Sequence, residues 1–310
     1  MNFKKIYLWT VYRLLEGATL TLIALSRILP PYLFEGLSAP PLRAVIHVLV
    51  PRRRVRRNLQ AAFGAAYSPS TIKGLAKGVQ DHFTKNLLDC FRHMAEPDRT
   101  LETIIVEGTD NLQDALAKGK GVIALGAHIG NFVLVGARLG MIGYKFHTLF
   151  RVPPEKRLRD FIDRHLPSFH QRVIPSRPRR LAVKRILEAL KRNEIVFILG
   201  DNLKKGEIET ILFGQKVPSP RGPVSLALRS GAPVVPMHLI RNYDGGLRLI
   251  IEREIVMSRN GSMSHDITEN TRQIVRYLEE LIRRYPDQWN WLTVKMRKRQ
   301  VGGRAPLSQA

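Results

Sequence analysis

One histidine stands where chemistry is expected, directly after a predicted buried strand. The apolar strand Gly121–Leu125 runs into the segment GAHIGNF at residues 126–132, which contains His128. Open α/β sheets bind their ligands at the carboxyl ends of parallel strands, so a histidine there is well placed to meet a substrate. Its imidazole can accept a proton near neutral pH, as a general base does. A histidine with only a structural role in a loop is the alternative.

The residues around His128 favour a tight loop that contacts a ligand. Gly126 and Gly130 allow the backbone to approach a neighbour closely, and Asn131 is predicted to cap the helix that follows. We expect Gly130 and Asn131 to contribute to substrate binding.

Other common catalytic and metal-binding patterns are absent from the sequence. It contains no G-x-S-x-G, no H-E-x-x-H, no P-loop, and no G-x-G-x-x-G at a strand–helix junction. His165 and His170 have Pro167 between them and do not share a helix face, so no metal site is expected. Cys90 is the single cysteine of the chain, which excludes an internal disulfide and a cysteine-based zinc cluster. We interpret it as a structural thiol.

The elements that must position His128 alternate between strands and helices. An amphipathic helix is predicted over residues 72–94, and helical apolar spacing also covers Leu181–Arg192 and Ile267–Arg284. Strands are predicted at Ile104–Val106, Gly121–Leu125, Lys145–Leu149, Ile195–Leu199, Val234–Ile240 and Leu247–Glu252. This alternation predicts an α/β fold whose mainly parallel central sheet is flanked by helices.

The N-terminal segment predicts a membrane-associated helix. Residues Ile6–Leu29 are largely apolar, but Arg13, Glu16 and Arg27 interrupt them, and the longest uncharged run, Gly17–Ser26, has ten residues. A helix that spans a bilayer needs about 20 apolar residues. We therefore predict an anchor that is interfacial or short-spanning, with a buried core helix as the alternative.

Three segments are predicted along the chain. The membrane anchor covers residues 1–35, the catalytic domain covers 36–300, and a flexible tail covers 301–310. The prolines at 30, 31, 40 and 41 predict an interrupted stretch after the first helix.

The chain is strongly basic, which predicts a polyanionic partner. Fifty Lys and Arg against 26 Asp and Glu give a net charge of +24. Nucleic acid, anionic lipid surfaces and acidic carrier proteins all suit such an excess. Five arginines close to the N-terminal segment favour an anionic membrane surface, although a merely solvated helix face is the alternative: Arg52, Arg53, Arg54, Arg56 and Arg57. Nucleic acid is not expected as a partner, because aromatic residues make up only 7% and no known binding module is present.

Ordered blocks of residues carry a family resemblance over most of the chain. They include the N-terminal segment, the arginines before Asn58-Leu59 and Phe63, and the block at 126–132. The later blocks are Phe150-Arg151, Gly200-Asp201, Phe213-Gly214, Gly222-Pro223, SGAPVVP at 230–236 and PDQWNWL at 286–292. In this order the chain resembles the lipid A late acyltransferases (lauroyl and myristoyl transferases), within the wider glycerol-phosphate-type acyltransferase fold.

Of two departures from the family pattern, the one that matters for chemistry is at Val133; the other is Thr293-Val294-Lys295 in place of the usual basic cluster. In the family, the histidine is followed five residues later by an Asp or Glu that holds the imidazole tautomer and stabilises its charged form; here that position is Val133. In a Ser-protease triad, spoiling this role lowers the rate by about 10⁴-fold. Asp201 ends the strand Ile195–Leu199 as His128 ends its own strand. If these strands are close in a parallel sheet, both side chains open onto one crevice, and we hypothesise that Asp201 orients His128 directly or through water.

Other roles for Asp201 stay open at this point. Family members carry a carboxylate near this turn, so Asp201 could instead organise the loop or hold the acceptor. Two further alternatives are a weak enzyme that relies on His128 alone and a catalytically silent relative that binds lipid.

The resemblance implies an acyltransferase that works without a cofactor. The acyl group would come from a thioester on acyl carrier protein or coenzyme A and go to a lipid hydroxyl, with a lipid A precursor as the family's usual acceptor. An ornithine lipid or a lysophospholipid is the alternative acceptor. The expected location is the cytoplasmic face of the bacterial inner membrane, with an anionic membrane surface as a partner.

Candidate residues for charge stabilisation and substrate binding follow from the basic segments. Arg151, directly after the strand Lys145–Leu149, is predicted to stabilise the oxyanion or an acceptor phosphate. Arg180 and Lys204 belong to a basic surface that could hold lipid phosphates or an acidic carrier protein. A helix predicted to begin at Gly222-Pro223, with Arg221 before it, offers free backbone N–H groups that suit a phosphate.

Overall fold

The computed structural model describes residues 3–64 and 66–296, and within these ranges the helices and strands alternate much as predicted. The helices are α1 (Phe3–Ile28), α2 (Pro31–Leu49), α3 (Arg52–Phe63), α4 (Pro69–Ala95), α5 (Pro97–Glu102), α6 (Thr109–Ala117), α7 (Val135–Met141), α8 (Lys156–His165), α9 (Arg179–Lys191), α10 (Gly222–Ser230) and α11 (Met263–Arg284), with short 3-10 helices at Phe132–Leu134 and Leu166–Phe169. The strands are β1 (Ile105–Glu107), β2 (Val122–Gly126), β3 (Phe146–Phe150), β4 (Arg172–Pro175), β5 (Ile195–Leu199), β6 (Ile208–Leu212), β7 (Gln215–Ser219), β8 (Val234–Arg241) and β9 (Leu247–Ile251).

Seven strands form the central sheet, in the order β1-β9-β8-β2-β5-β3-β4. From β8 to β4 all neighbours are parallel, whereas β9 runs antiparallel to β8 and β1 runs parallel to β9. The predicted mainly parallel sheet flanked by helices is therefore confirmed. Two features were not predicted: the edge strand β4, and the separate antiparallel hairpin of β6 and β7.

The central strand β2 shows why its sequence reads as a continuous apolar run. Val122 and Ala124 face a core closed by α6 and α7, whereas Ile123 and Leu125 face a second core closed by α9, α10 and α11. Side chains alternate between the two faces of a strand, and both faces of β2 are covered. All five residues of the strand are buried.

Helices α1 and α2 pack on α4 through a small separate apolar cluster. Ile23 and Phe34 meet Leu88, Phe91 and Ala95 there. The predicted interruption at Pro40-Pro41 is wrong, because α2 continues through both prolines. Each proline removes one backbone donor and crowds the preceding turn, but Phe34 and Ile46, on either side of the pair, are buried and keep the helix packed.

The predicted N-terminal membrane helix stays a prediction. Among the described residues, no single helix combines the length and hydropathy needed to cross a bilayer; α2 and α3, bent by 66° at their junction, meet those criteria only as a pair. The predicted tail at 301–310 lies outside the described residues.

Two of the sequence blocks that carry the family resemblance meet in space through Asn58 on α3. Its buried amide donates hydrogen bonds to the carbonyl oxygens of Trp291 (2.7 Å) and Val294 (3.2 Å) and accepts one from the backbone N–H of Met296 (3.4 Å). The C-terminal segment is thereby fixed against α3, which places the neighbouring Trp289 beneath the carboxyl edge of the sheet.

Candidate active site

His128 and Asp201 are direct hydrogen-bonding partners at the carboxyl edge of the sheet. Strands β2 and β5 are adjacent and in register, with Gly126 opposite Leu199, so the residues that follow the two strand ends lie side by side. His128 Nδ1 is 2.8 Å from Asp201 Oδ1. The backbone N–H of His128 also donates to Asp201 Oδ2 at 2.8 Å. The contact is thus direct, without an intervening water.

The Asp201 carboxylate is fully buried and is surrounded by donors. It has no exposed surface, and a third bond comes from the indole Nε1 of Trp289, which donates to Oδ2 at 2.8 Å. A charge so far from solvent is tolerated only when it is paired and hydrogen-bonded. Sequence reasoning did not assign a role to Trp289, although the residue lies in the PDQWNWL block that carried part of the family resemblance.

The outer side of the imidazole is accessible. The His128 side chain is 27% exposed, and its Nε2 has no hydrogen-bond partner among the described residues. Because Asp201 accepts the Nδ1 proton, Nε2 carries the lone pair and faces outward. The edge of Phe132 packs near the ring at a centroid distance of 5.0 Å. This arrangement can remove a proton from a hydroxyl group.

The electrostatics of the pair stabilise the protonated, positively charged form of the His128 imidazole. Burial lowers the pKa of His128, but the charge of Asp201 and the hydrogen bond to it raise the pKa more, and the net result is a pKa above the ordinary 6.5. For Asp201, burial raises the pKa, but the charge of His128 and the bonds from His128 and Trp289 lower it below the ordinary 3.8. A charge-stabilised imidazolium is what a general base needs after proton transfer.

A second histidine–carboxylate pair, at the opposite edge of the same sheet, behaves differently. His147 Nε2 is 2.8 Å from Glu194 Oε2, near the starts of β3 and β5. Burial lowers the pKa of His147, Glu194 raises it, and the charges of Arg172 and Arg192 lower it again, so the net shift is downward. The direction of the shift therefore depends on the surroundings of each pair.

Gly130 is needed for the conformation of the loop. Its φ is +53°, and a Cβ at this position would lie 1.8 Å from the carbonyl oxygen of Leu239 on β8. Its N–H donates to Gln288 O at 3.0 Å, and its carbonyl oxygen accepts from Asn86 Nδ2 at 2.7 Å. With both backbone groups in use, Gly130 shapes the loop, and its substrate contact stays a prediction.

The predicted capping role of Asn131 is wrong. Asn131 precedes the 3-10 helix Phe132–Leu134, but its side chain makes no cap hydrogen bond. The buried amide instead donates to Asn86 O and to Asp89 Oδ2, each at 3.1 Å. Asp89 also pairs with Arg241, and its charged carboxylate is a strong acceptor for the amide N–H of Asn131. Asn131 therefore links the loop to α4, and its substrate-binding role stays a prediction.

Val133 occupies the place of the family carboxylate without replacing its role. It is 40% exposed on the short 3-10 helix after the loop. The nitrogen that such a carboxylate would hold, Nδ1, is already bonded to Asp201.

The other predicted site residues lie at the same edge of the sheet but do not contact the pair. Arg151 follows β3, Arg180 follows β4, and Lys204 follows β5, and all three are exposed. Burial, and next the charge of Arg54, lower the pKa of Lys204. Helix α10 begins at Gly222 as predicted, with Arg221 exposed and Pro223 buried. In the part of the chain that the structure describes, none of these residues is hydrogen-bonded or ion-paired to His128, so their roles stay predictions.

Comparisons with known proteins give the class and then the family. Helices on both faces of a parallel sheet, with a histidine–carboxylate pair at its carboxyl edge, fit an acyltransferase. The family described as bacterial lipid A biosynthesis acyltransferase matches residues 1–298. The chain belongs to this family, as the resemblance implied.

Individual relatives carry the same activity in their names. The phosphatidylinositol mannoside acyltransferase of Mycolicibacterium smegmatis is 26% identical over 245 residues, 77% of this chain and 77% of that protein. The enzyme of the same name from Mycobacterium tuberculosis is 31% identical over 137 residues, 43% of each chain. The lipid A biosynthesis palmitoleoyltransferase of Escherichia coli is 26% identical over 201 residues, 64% of this chain and 62% of that protein. The protein is an acyltransferase that acts on lipid acceptors.

Asp201→Asn should abolish most turnover by forcing the wrong imidazole tautomer. The donors of Trp289 and of the His128 backbone both point at Oδ2, so the amide oxygen of Asn must take that place. Its NH₂ group then donates to Nδ1, and the imidazole proton moves to Nε2, where a base needs a lone pair. We expect acyl transfer to fall by about 10⁴-fold, as in the comparable Ser-protease variant. The measurement is the rate at saturating substrates together with the thermal unfolding midpoint.

Glu194→Gln is the matched control, because it alters a buried carboxylate–histidine pair away from the site. It should leave the rate within about tenfold of wild type while altering stability. The double variant Asp201→Asn/Val133→Glu should not recover activity, since Asn still occupies Nδ1. Near-normal turnover of Asp201→Asn, or rescue by Val133→Glu, would contradict the assignment.

The pH profile should report the raised pKa of His128. A base works in its neutral form, so kcat/KM should rise with pH and reach half its maximum above pH 6.5. Removing the negative charge in Asp201→Asn should move the midpoint of the residual activity down, whereas Glu194→Gln should not move it. A wild-type midpoint below 6.5 would contradict the electrostatic account.

Proposed function

We propose that the protein transfers a fatty acyl chain from a thioester to a hydroxyl group of a lipid A precursor, with His128 as the general base. One observation carries the proposal: Nδ1 of the imidazole is bonded to the buried carboxylate of Asp201, while Nε2 is accessible. The acyl donor is a thioester of acyl carrier protein or of coenzyme A.

The proposed reaction proceeds without an acyl-enzyme. The acceptor hydroxyl attacks the thioester carbonyl carbon as His128 Nε2 removes its proton, and a new C–O bond forms. Negative charge develops on the carbonyl oxygen, and Asp201 stabilises the imidazolium. The C–S bond then breaks, and the thiolate takes the proton from Nε2. The thioester is already activated, and the one cysteine, Cys90, is buried with a pKa raised to about 12 by burial and by the charge of Asp89.

Arg151 and the N-terminus of α10 are the proposed stabilisers of negative charge. Arg151 is exposed at the end of β3, two strands from His128 in the sheet. Neighbouring strands are about 4.8 Å apart, so its side chain spans most of the distance to a substrate above the pair. Arg180, Lys204 and the N–H groups at Gly222 are proposed to hold phosphates of the acceptor or of the donor.

The proposed acceptor is a phosphorylated glycolipid. The relatives are named for lipid A and for phosphatidylinositol mannoside, and the basic edge of this chain suits a phosphate-bearing acceptor. A lipid A precursor is the first candidate, because the family match is to lipid A biosynthesis.

The proposed location is the cytoplasmic face of a bacterial inner membrane. Helices α1 and α2 expose large apolar side chains, among them Leu37 (62% exposed) and Val48 (78%). The arginines of α3 follow directly. An apolar face beside basic residues is the pattern of a helix that lies in an anionic membrane surface.

Acyl transfer can be tested directly with the purified full chain. Lauroyl, myristoyl and palmitoyl thioesters of acyl carrier protein and of coenzyme A are combined with a lipid A precursor, a phosphatidylinositol mannoside or a lysophospholipid. Mass spectrometry should detect a product that has gained one acyl chain. His128→Ala should lower the rate by about 10⁴-fold or more, because the imidazole proposed to take the proton is removed.

The control variant is His147→Ala, which removes a histidine at the other edge of the sheet and should retain turnover if it folds. Product formation at an unchanged rate by His128→Ala would refute the mechanism. Lipid binding without product for any donor and acceptor would identify a catalytically silent relative.

Membrane binding should depend on the apolar face of α1 and α2. Leu37→Glu/Val48→Glu should lower co-sedimentation with phosphatidylethanolamine–phosphatidylglycerol vesicles at high salt by about tenfold or more, because two apolar side chains no longer enter the bilayer. Ile211→Glu/Val256→Glu makes the same change at exposed apolar residues elsewhere and should bind like wild type. Equal binding by both double variants would contradict the proposed face.

A further inference from the structure

A cavity of about 570 Å³ lies away from the His128–Asp201 pair, between the α1–α2 junction, α4 and the turn that joins β8 to β9. Its volume is in the range of ligand-binding pockets. Its charged lining consists of Arg27, Arg92, Arg99, Arg241, Asp89 and Glu96. Four guanidinium groups against two carboxylates leave this lining positive.

Arg241 is the residue that points to a ligand. Its side chain is only 8% exposed and pairs with Asp89, and one terminal nitrogen donates to Gly245 O at 2.9 Å. Its Nε is buried and has no hydrogen-bond partner within the described parts of the chain. A buried donor left without an acceptor is unfavourable by about 1–3 kcal/mol. Arg241 therefore adds a largely buried cation to the lining of the cavity.

The other arginines leave donors for the same anion. Arg27 donates through Nε to Ala95 O at 3.3 Å, and Arg92 donates to Pro31 O at 2.8 Å. Arg99 pairs with Glu96 at 3.2 Å on the outer rim, where its side chain is 77% exposed. A guanidinium group has five donors in a planar fork that matches phosphate oxygens. These contacts use only some of them.

The apolar part of the lining faces the proposed membrane side. Ile28 and Phe34 line the cavity together with the charged residues. Ile28 is 77% exposed, and the neighbouring Tyr32 is 73% exposed. A polar, positive pocket that opens beside exposed apolar side chains suits an amphiphile at the depth of lipid headgroups.

We infer that this cavity binds the phosphate-bearing headgroup of a lipid. The phosphate lies against Arg241, Arg27 and Arg99, and the first carbons of the acyl chain lie beside Ile28. The choice of a lipid over a free phosphate rests on the proposed membrane side of α1 and α2. Binding itself does not depend on His128 acting as a base.

The cavity also shares a residue with the catalytic loop. Asp89 pairs with Arg241 on the cavity side and accepts from Asn131 Nδ2 on the loop side. His128 bonds to Asp201 beyond β2, in the direction of β5. The loop that carries His128 is thus linked to the cavity through Asp89, while the lining of the cavity includes neither His128 nor Asp201.

Calorimetric titration of the full-length protein with three matched soluble probes tests the inference. The probes are 1-hexanoylglycerol 3-phosphate, 1-hexanoylglycerol and glycerol 3-phosphate, with no acyl donor present. The phosphorylated lipid should bind at least about tenfold more tightly than either fragment. Arg27→Gln/Arg99→Gln should weaken its binding by about tenfold or more, with an unfolding midpoint near that of wild type.

The matched control is Arg229→Gln/Arg272→Gln, which removes the same charge from exposed positions outside the cavity and should bind within about twofold of wild type. Equal loss in both double variants would overturn the site in favour of general surface charge. Equal affinity for glycerol 3-phosphate would overturn the lipid assignment, and the absence of binding by every probe would overturn both. His128→Ala should bind like wild type, so a failure of the proposed chemistry and a failure of this site give different results.

Discussion

The buried carboxylate of Asp201 is the constraint on which the site depends. Moving a carboxylate out of water is unfavourable by several kcal/mol unless the protein supplies donors. Asp201 receives three, from the imidazole, the backbone of the β2 loop and the indole of Trp289. These donors come from distant parts of the chain, so the carboxylate is stable only when the sheet and the C-terminal segment are both in place.

The loop that carries His128 is held from two sides. Ile129 forms an isolated bridge with Trp289, and Gly130 forms one with Leu239 on β8. The carbonyl oxygen of His128 accepts from the backbone N–H of Asn290 at 2.9 Å. With its backbone and Nδ1 all bonded, the outward nitrogen of the imidazole is the part of this residue left for chemistry. Such pre-organisation is what general-base catalysis requires.

Local patterns in the sequence were sufficient to find the histidine and its partner. The apolar runs of β2 and β5 predict buried parallel strands, and a polar residue at the end of each marks the ligand-binding edge. The family resemblance showed a valine at the usual carboxylate position, and this prompted the search for another carboxylate that could pair with His128. The predicted β5 has the observed bounds; β1, β2 and β3 each begin and end one residue later than predicted, and β8 and β9 differ by one residue at their C-terminal ends.

Long-range contacts explain most of what the sequence did not reveal. Trp289 donates a hydrogen bond to a residue 88 positions away in the sequence. Asn131, which was predicted to cap a helix, instead donates to Asp89, 42 positions away. Neither partner is visible in local spacing. Pro40-Pro41 predicted a break because proline disfavours the interior of a helix. Packing on both sides of the two prolines nevertheless keeps α2 continuous.

The exposed valine at position 133 has a consequence for how genomes are searched. Because the acid comes from a neighbouring strand, the pair is no longer tied to a fixed interval along the chain. A screen for histidine plus a carboxylate five positions later will discard such chains as pseudoenzymes. A filter that asks for an acid just beyond the adjacent parallel strand would retain them.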